Sequence, residues 1–181
     1  EYKGQKCGSF GDVSIFSFYP NKQVTTGEGG MVLTNDKNLD DRAKSLRNLC
    51  FSTNRFIHKE LGWNYRMTNM QAALGVAQME RINEIVEKKR YIGNTYNKLL
   101  KDIKEVNLPV VRTDYCENIY WVYAITLNDD YHKTVEEVMF KLGEYKIGTR
   151  PFFYPHLKSK HHDQDVNGKK SLEPFLSTQF H

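Results

Sequence analysis

The sequence predicts an α/β fold, and three observations carry that reading. Residues 12–18 alternate as a strand does, with Val13, Ile15 and Ser17 on one face and Ser14, Phe16 and Phe18 on the other, until Pro20 removes a ladder N–H. From Thr68 onward the apolar positions Leu74, Ile82, Ile85, Val86 and Leu99 keep a rough helical period. Beyond Pro109, residues 119–127 are rich in aromatic and β-branched side chains and are followed by a second helical pattern, so strand and helix alternate again. The expected division is residues 1–104 as one domain and residues 105–181 as a smaller C-terminal α/β domain.

Taken in order, Gly4, Gly8 and Gly11 punctuate the chain ahead of the first strand, and Gly27, Gly29 and Gly30 follow it closely. Residues 31–34 read as a short buried strand, closed by the turn pair Asn35-Asp36. Leu39, Ala43 and Leu46 predict a helix over about residues 39–48. Residues 49–62 read as an irregular connection, mobile without a ligand. Thr68-Asn69-Met70-Gln71 fits a capping box that opens an amphipathic helix packed on a core, with Gly93-Asn94 as a kink. Residues 119–127 are expected as a central strand, Thr134-Val135-Glu136-Glu137 as a second capping box, and Ile147 as part of a last strand.

Bulk properties narrow the function classes. In 181 residues, 39% hydrophobic and 27% charged content is ordinary for a globular protein, and the length allows a real core. The net charge of +4 is spread out; with no long basic run, a nucleic-acid groove is not expected. Cys7, Cys50 and Cys116 are odd in number and widely spaced, which reads as reduced thiols in a cytoplasmic protein rather than disulfides or a zinc site. No run reaches the roughly 18 apolar residues a membrane helix needs. His161, His162 and Asp163 lack further ligands nearby and read as a polar loop, so no metal is expected.

The chemistry centres on one lysine. Lys22 stands just past a strand end, with Thr25, Thr26 and three glycines behind it, a setting that suits a cation close to a phosphate or a carbonyl cofactor. On residue types alone it is more often a solvated loop lysine, and the string is neither a GKS/GKT phosphate loop nor GxGxxG. By the same measure Ser17 is a small residue in a packed strand, Asn64 a turn residue, and Thr25, Thr26 and Glu28 the fixings of a glycine turn.

Three longer strings decide between these readings. Phe16-Ser17-Phe18-Tyr19-Pro20-Asn21-Lys22 with Thr25-Thr26-Gly27-Glu28-Gly29-Gly30 closely resembles the Schiff-base lysine segment of the DegT/DnrJ/EryC1/StrS family. Those proteins are pyridoxal-phosphate-dependent aminotransferases acting on nucleotide-linked keto sugars. The stretch from Leu61 to Gly75, containing Gly62-Trp63-Asn64-Tyr65-Arg66-Met67-Thr68, resembles a second segment of the family. Gly148-Thr149-Arg150-Pro151-Phe152-Phe153-Tyr154-Pro155 is similar to its branch making perosamine-type 4-amino-4,6-dideoxy sugars, and the three matches keep the family's order over residues 1–156.

The resemblance implies a fold-type-I aminotransferase, present here as part of the large domain plus the small domain, with the N-terminal half absent. It makes Lys22 the catalytic lysine, which holds pyridoxal 5'-phosphate and then moves a proton. It makes Ser17 a donor to the cofactor phosphate and Asn64 a residue reaching across a homodimer to the neighbouring subunit's phosphate. Arg66, Arg150 and Tyr154 become candidate contacts to the nucleotide sugar, with pairing to a surface carboxylate as the equal alternative for Arg66. The order Tyr154-Pro155-His156-Leu157 departs from the family's pattern, in which an apolar residue precedes the histidine, so no role passes to His156. A lysine rather than a histidine at position 22 goes with amino transfer rather than dehydration.

The expected reaction moves an amino group from glutamate to C4 of a nucleotide-linked 4-keto-6-deoxyhexose. By the same resemblance, the acid beside the pyridine nitrogen, the stacking ring and a phosphate-binding Gly/Thr segment lie upstream of Glu1, and residues 171–181 lack a closing strand and helix. The rival reading is therefore a catalytically incompetent α/β fragment that binds a nucleotide sugar or a partner chain.

Overall fold

The computed structural model describes residues 1–54 and 56–153. They fall into two compact units that interleave along the chain: Glu1–Leu99 with Val110–Tyr123, and Leu100–Pro109 with the residues from Ala124 onward.

In the first unit, β1 (Ser14–Ser17) pairs antiparallel with β2 (Gly30–Leu33), setting Ser14 opposite Leu33 and Ser17 opposite Gly30. The ladder runs one step further, where the Phe18 N–H donates to the Gly29 carbonyl at 2.9 Å, and Pro20 ends it as the sequence predicts. Neither strand is a core strand, however. Ile15 is 80% exposed and every residue of β2 is exposed, because the described residues lay no second layer over the sheet.

Helix α1 (Lys37–Arg47) starts where Asp36 accepts the N–H groups of Asn38 (2.7 Å) and Leu39 (3.2 Å), two residues ahead of the expected start. Its C-terminal carbonyls, which no helical N–H can reach, are taken by returning chain: Trp63 N–H donates to Leu46 and Tyr65 N–H to Arg47, at 2.8 and 3.1 Å. Residues 49–62 are irregular but hydrogen-bonded, with Lys59 N–H on the Cys50 carbonyl and an Arg42–Glu60 ion pair. Gly62 passes so near the Leu49–Cys50 backbone that a Cβ there would lie 2.6 Å from it.

The long helix expected from Thr68 is two helices, α2 (Asn69–Met79) and α3 (Ile82–Leu100). They part at Glu80-Arg81, and Gly93 is no kink: it is buried within α3, where the ring of Tyr120 lies against its backbone. The face of α2 that is covered is also the reverse of the expected one. Gln71, Gly75 and Gln78, at i, i+4 and i+7, are part-buried, whereas Met70, Leu74, Val76 and Met79 are exposed. Helix α3 covers Ile82, Ile85 and Val86 as expected, with Lys89, Arg90, Gly93 and Asn97 on the same face, whereas Leu99 is exposed.

Residues 119–125 form no strand. Tyr120 adopts a left-handed conformation (φ 48°), which takes the chain out of any extended ladder and turns its side chain into α3. In the second unit, β3 (Val106–Asn107) pairs antiparallel with β4 (Thr126–Leu127), the only part of 119–127 that is strand. Helix α4 (Val135–Glu144) carries the predicted capping box: Thr134 Oγ1 accepts the Glu137 N–H at 3.2 Å, and the Glu137 carboxylate accepts the Thr134 N–H at 2.7 Å. The backbone hydrogen bond from Thr134 holds the Glu137 carboxyl below its ordinary value. Ile147, expected in a strand, instead closes this helix by donating its N–H to the Leu142 carbonyl, with Lys146 left-handed (φ 61°) before it. Among the described residues no helix is long and apolar enough to cross a membrane.

Candidate active site

The site grows from the end of β1. Pro20 pre-sets the turn Tyr19-Pro20-Asn21-Lys22, which the Lys22 N–H closes on the Tyr19 carbonyl at 3.0 Å. That turn folds Lys22 back onto Tyr19, two residues past Ser17, the last residue of β1. The Ser17 hydroxyl accepts the Tyr19 N–H at 3.3 Å, so its own proton remains available for an anion. Next to Lys22, Gln23 Nε2 is buried with no acceptor among the described residues.

The chain beyond Lys22 is tightly held. Val24 and Thr26 are 7% and 4% exposed, and the Thr25 hydroxyl donates back to the Phe18 carbonyl at 2.9 Å. Gly27 (φ 79°) and Gly29 (φ 140°) take conformations that side-chain-bearing residues rarely adopt. At Gly29 a Cβ would also lie 2.7 Å from both Thr26 Oγ1 and Met67 Cε.

Helix α2 grips this turn with side-chain amides. Thr25 N–H donates to Gln78 Oε1 at 3.1 Å while Gln78 Nε2 donates to the Thr25 carbonyl at 2.6 Å, a ladder-like pair made by a glutamine. About two turns earlier, Gln71 Nε2 donates to the Glu28 carbonyl at 3.1 Å while its Oε1 accepts the Thr68 N–H. Glu28, Thr25 and Thr26 therefore act here as turn fixings. In sequence Gln71 reads only as a capping residue and Gln78 not at all; their spacing of seven on one helix face was the available signal.

Trp121 is the second residue that sequence reasoning missed. The Lys22 ammonium lies 3.4 Å from the centroid of its ring, and its Nε1–H donates to the Asn21 carbonyl at 2.9 Å. Helix α3 holds this part of the chain: Lys89 Nζ donates to the Trp121 carbonyl at 3.3 Å and Arg90 Nε to the Asn118 carbonyl at 3.4 Å. Tyr120, 3% exposed, fills the notch at Gly93, where a Cβ would come within 2.3 Å of its ring, and its hydroxyl meets Asn94 and Asn97. Tyr123 donates its hydroxyl to Asn97 Oδ1 at 2.7 Å. Burial pushes both phenols above their ordinary value, opposed at Tyr120 by its Asn97 hydrogen bond.

The remaining expected site residues are spread out. Asn64 bridges its backbone to Asn48 at the end of α1, and its side chain is exposed without a hydrogen bond among the described residues. Arg66 donates to Asn48 Oδ1 at 2.6 Å, a neutral amide rather than the surface carboxylate of the alternative reading. Met67, one residue on, touches Gly29, so the Asn64–Arg66 stretch leads directly to the glycine turn. Arg150 is exposed in the second unit. Tyr154, His156, His161, His162 and Asp163 lie outside the described residues.

These residues fit a phosphate-bearing aldehyde cofactor. The fit rests on a part-buried lysine, a hydroxyl with a proton to give, a buried amide N–H without an acceptor among the described residues, and glycine backbone free of Cβ atoms.

Known proteins resemble this chain in sequence and fold. PseC of Helicobacter pylori, an aminotransferase involved in the biosynthesis of pseudoaminic acid, superposes with a TM-score of 0.83 at 26% identity over 93% of this chain and 46% of its own. GDP-perosamine synthase of Escherichia coli O157:H7 is 40% identical over 156 residues, which is 86% of this chain and 42% of that protein. EpsN of Bacillus subtilis (strain 168), named as a pyridoxal phosphate-dependent aminotransferase, is 34% identical over 85% of this chain and 39% of its own. The fold is thus the α/β fold of the sugar aminotransferases, in part. The sequence pattern of the DegT/DnrJ/EryC1/StrS aminotransferase family matches residues 1–177, and the chain belongs to that family. It spans about 42% of the length of the perosamine synthase it matches.

Proposed function

We propose that the protein carrying this chain is a pyridoxal-phosphate-dependent nucleotide-sugar aminotransferase, passing an amino group from glutamate to C4 of a nucleotide-linked 4-keto-6-deoxyhexose. The observation that carries this reading is the part-buried Lys22, one turn past the end of β1, whose last residue is Ser17. Likeness to GDP-perosamine synthase supports the substrate class.

In this reading Lys22 anchors the cofactor through its ε-amine and then, once freed, carries a proton at that nitrogen. Bound pyridoxal phosphate supplies an aldehyde to carry the amino group and a ring to spread negative charge from the reacting carbon. Ser17 donates its hydroxyl proton to the phosphate. The glycine turn, held by Gln71 and Gln78, keeps the Lys22 backbone still while its side chain moves. Asn64 projects from an exposed segment, as suits service to a neighbouring subunit's phosphate in a homodimer. Arg66 spends one guanidinium N–H on Asn48 and keeps the others for a diphosphate, and Arg150 and Tyr154 are the remaining candidate sugar-nucleotide contacts. The protein acts in the cytoplasm.

Borohydride reduction of the full-length protein with bound pyridoxal phosphate, followed by peptide mapping, tests the anchor. The expected label lies on Lys22 and is lost in Lys22→Ala. Lys22→Ala should also lower amino transfer by about 100-fold or more, the scale of a missing acid–base group, read as aminated sugar by mass spectrometry. A label elsewhere sinks the assignment, and nucleotide-sugar binding without aminated product would favour a non-catalytic binding protein.

A further inference from the structure

We propose that Trp121 is a positioning residue for Lys22: its indole face holds the lysine amine whenever that amine is not engaged with the cofactor. This rests on the functional reading of Lys22 given above. The two residues are far apart in sequence, yet the ammonium sits 3.4 Å from the ring centroid, within the range where the ring's negative face attracts a cation. No carboxylate pairs with Lys22 among the described residues, so the indole is the group that receives its charge there.

Three further contacts make the arrangement a built one. The indole N–H is tied to the carbonyl of Asn21, so the ring is registered to the turn that bears the lysine. The Trp121 carbonyl is held by Lys89 on α3. Its neighbour Tyr120 is locked into the Gly93 notch with φ 48°, a conformation that costs energy for a residue with a side chain and that sets Trp121's direction out of the α3 contact. An amino-transfer lysine must leave the cofactor and return in every cycle. Held on the indole, the amine has one defined resting position; without it the four-carbon side chain samples solvent.

The test uses the full-length holoenzyme brought to its amino form with glutamate, so that Lys22 is free, and pulsed with acetic anhydride. Acetylation of Lys22 is read by peptide mass spectrometry. Trp121→Leu is expected to raise the Lys22 acetylation rate by about 2- to 30-fold, the range a cation–indole contact spans. It should lower kcat by a comparable factor while leaving KM for glutamate unchanged. Trp121→Phe, which keeps an aromatic face but loses the N–H to Asn21, should fall between and keeps the test available if the leucine variant does not fold. Unchanged acetylation and kcat in either folded variant, with borohydride still fixing the cofactor to Lys22, would overturn the proposal while leaving the functional reading intact. A cofactor fixed to another lysine would bring down both.

Discussion

Helices α2 and α3 each hold a segment of chain beside Lys22, and they do so by opposite means. Helix α2 presents Gln71, Gly75 and Gln78 and binds the backbone of the 25–28 turn by hydrogen bonds. Helix α3 opens a glycine notch and buries an aromatic ring in it, then adds hydrogen bonds around the rim. An amide pair on a backbone fixes register, because donor and acceptor must each meet one particular partner. A buried ring fixes direction, because its plane and its neighbour's exit follow from how it is seated. A turn that carries a reactive lysine needs the first, and a strap that aims Trp121 needs the second.

Changes to either grip should break it in different ways. The largest effect is expected at the notch: Gly93→Ala puts a Cβ 2.3 Å from the Tyr120 ring and must expel it. Overpacking and lost burial, less the roughly 1 kcal/mol that alanine gains over glycine in a helix, should leave a net loss of about 2 kcal/mol or more in a urea titration. Gln78→Leu follows, since it strands the part-buried N–H and carbonyl of Thr25; a loss of about 2 kcal/mol is expected, with faster amide exchange across residues 25–28.

A pH titration separates the grips next. The Tyr120 and Tyr123 phenols are raised above the ordinary 10.0 in the folded state, so folding favours their neutral forms. Their contribution is complete below pH 10.0 and is lost as pH rises through the raised folded values, loosening α3's hold while leaving the glutamine pairs of α2 in place. Tyrosinate absorbance should show two residues ionising late, and Tyr123→Phe should remove one of them. The smallest effect belongs to Gln71→Glu, which keeps the capping acceptor for Thr68 but loses the donor to Glu28. Stability should shift by less than about 0.5 kcal/mol, while amide exchange at residues 28–30 quickens.

How much of this was legible follows from the range of the interactions. Both capping boxes and the Pro20 stop lie within a few residues of the groups they satisfy, and each was readable; Asp36 reads as a turn residue, and its capping of α1 was not legible. Lys22 lies one turn past the strand that ends at Ser17, as the sequence reads, and the family match over residues 1–177 agrees with the resemblance of the strings around it. The 119–125 stretch was not, because aromatic and β-branched residues suit a half-buried strap as well as a strand, and only contact with α3 decides. Gly93 looked like a helix weakness when its lack of a Cβ is what seats Tyr120. The exposed faces of β1, β2 and α2 show the same limit from the other side: alternation and period tell which residues share a face, not what lies across from it.

The return of residues 63–65 to the carbonyls of Leu46 and Arg47 has a consequence for how this family can vary. Because the chain leaves α1 and comes back to its very end, everything between is a detour whose two mouths are stitched together. Doubling such an excursion costs only about 0.6 kcal/mol in closure entropy. Residues could thus be added at its tip, between 52 and 57, to build new surface without disturbing the path from Asn64 through Met67 to the lysine turn.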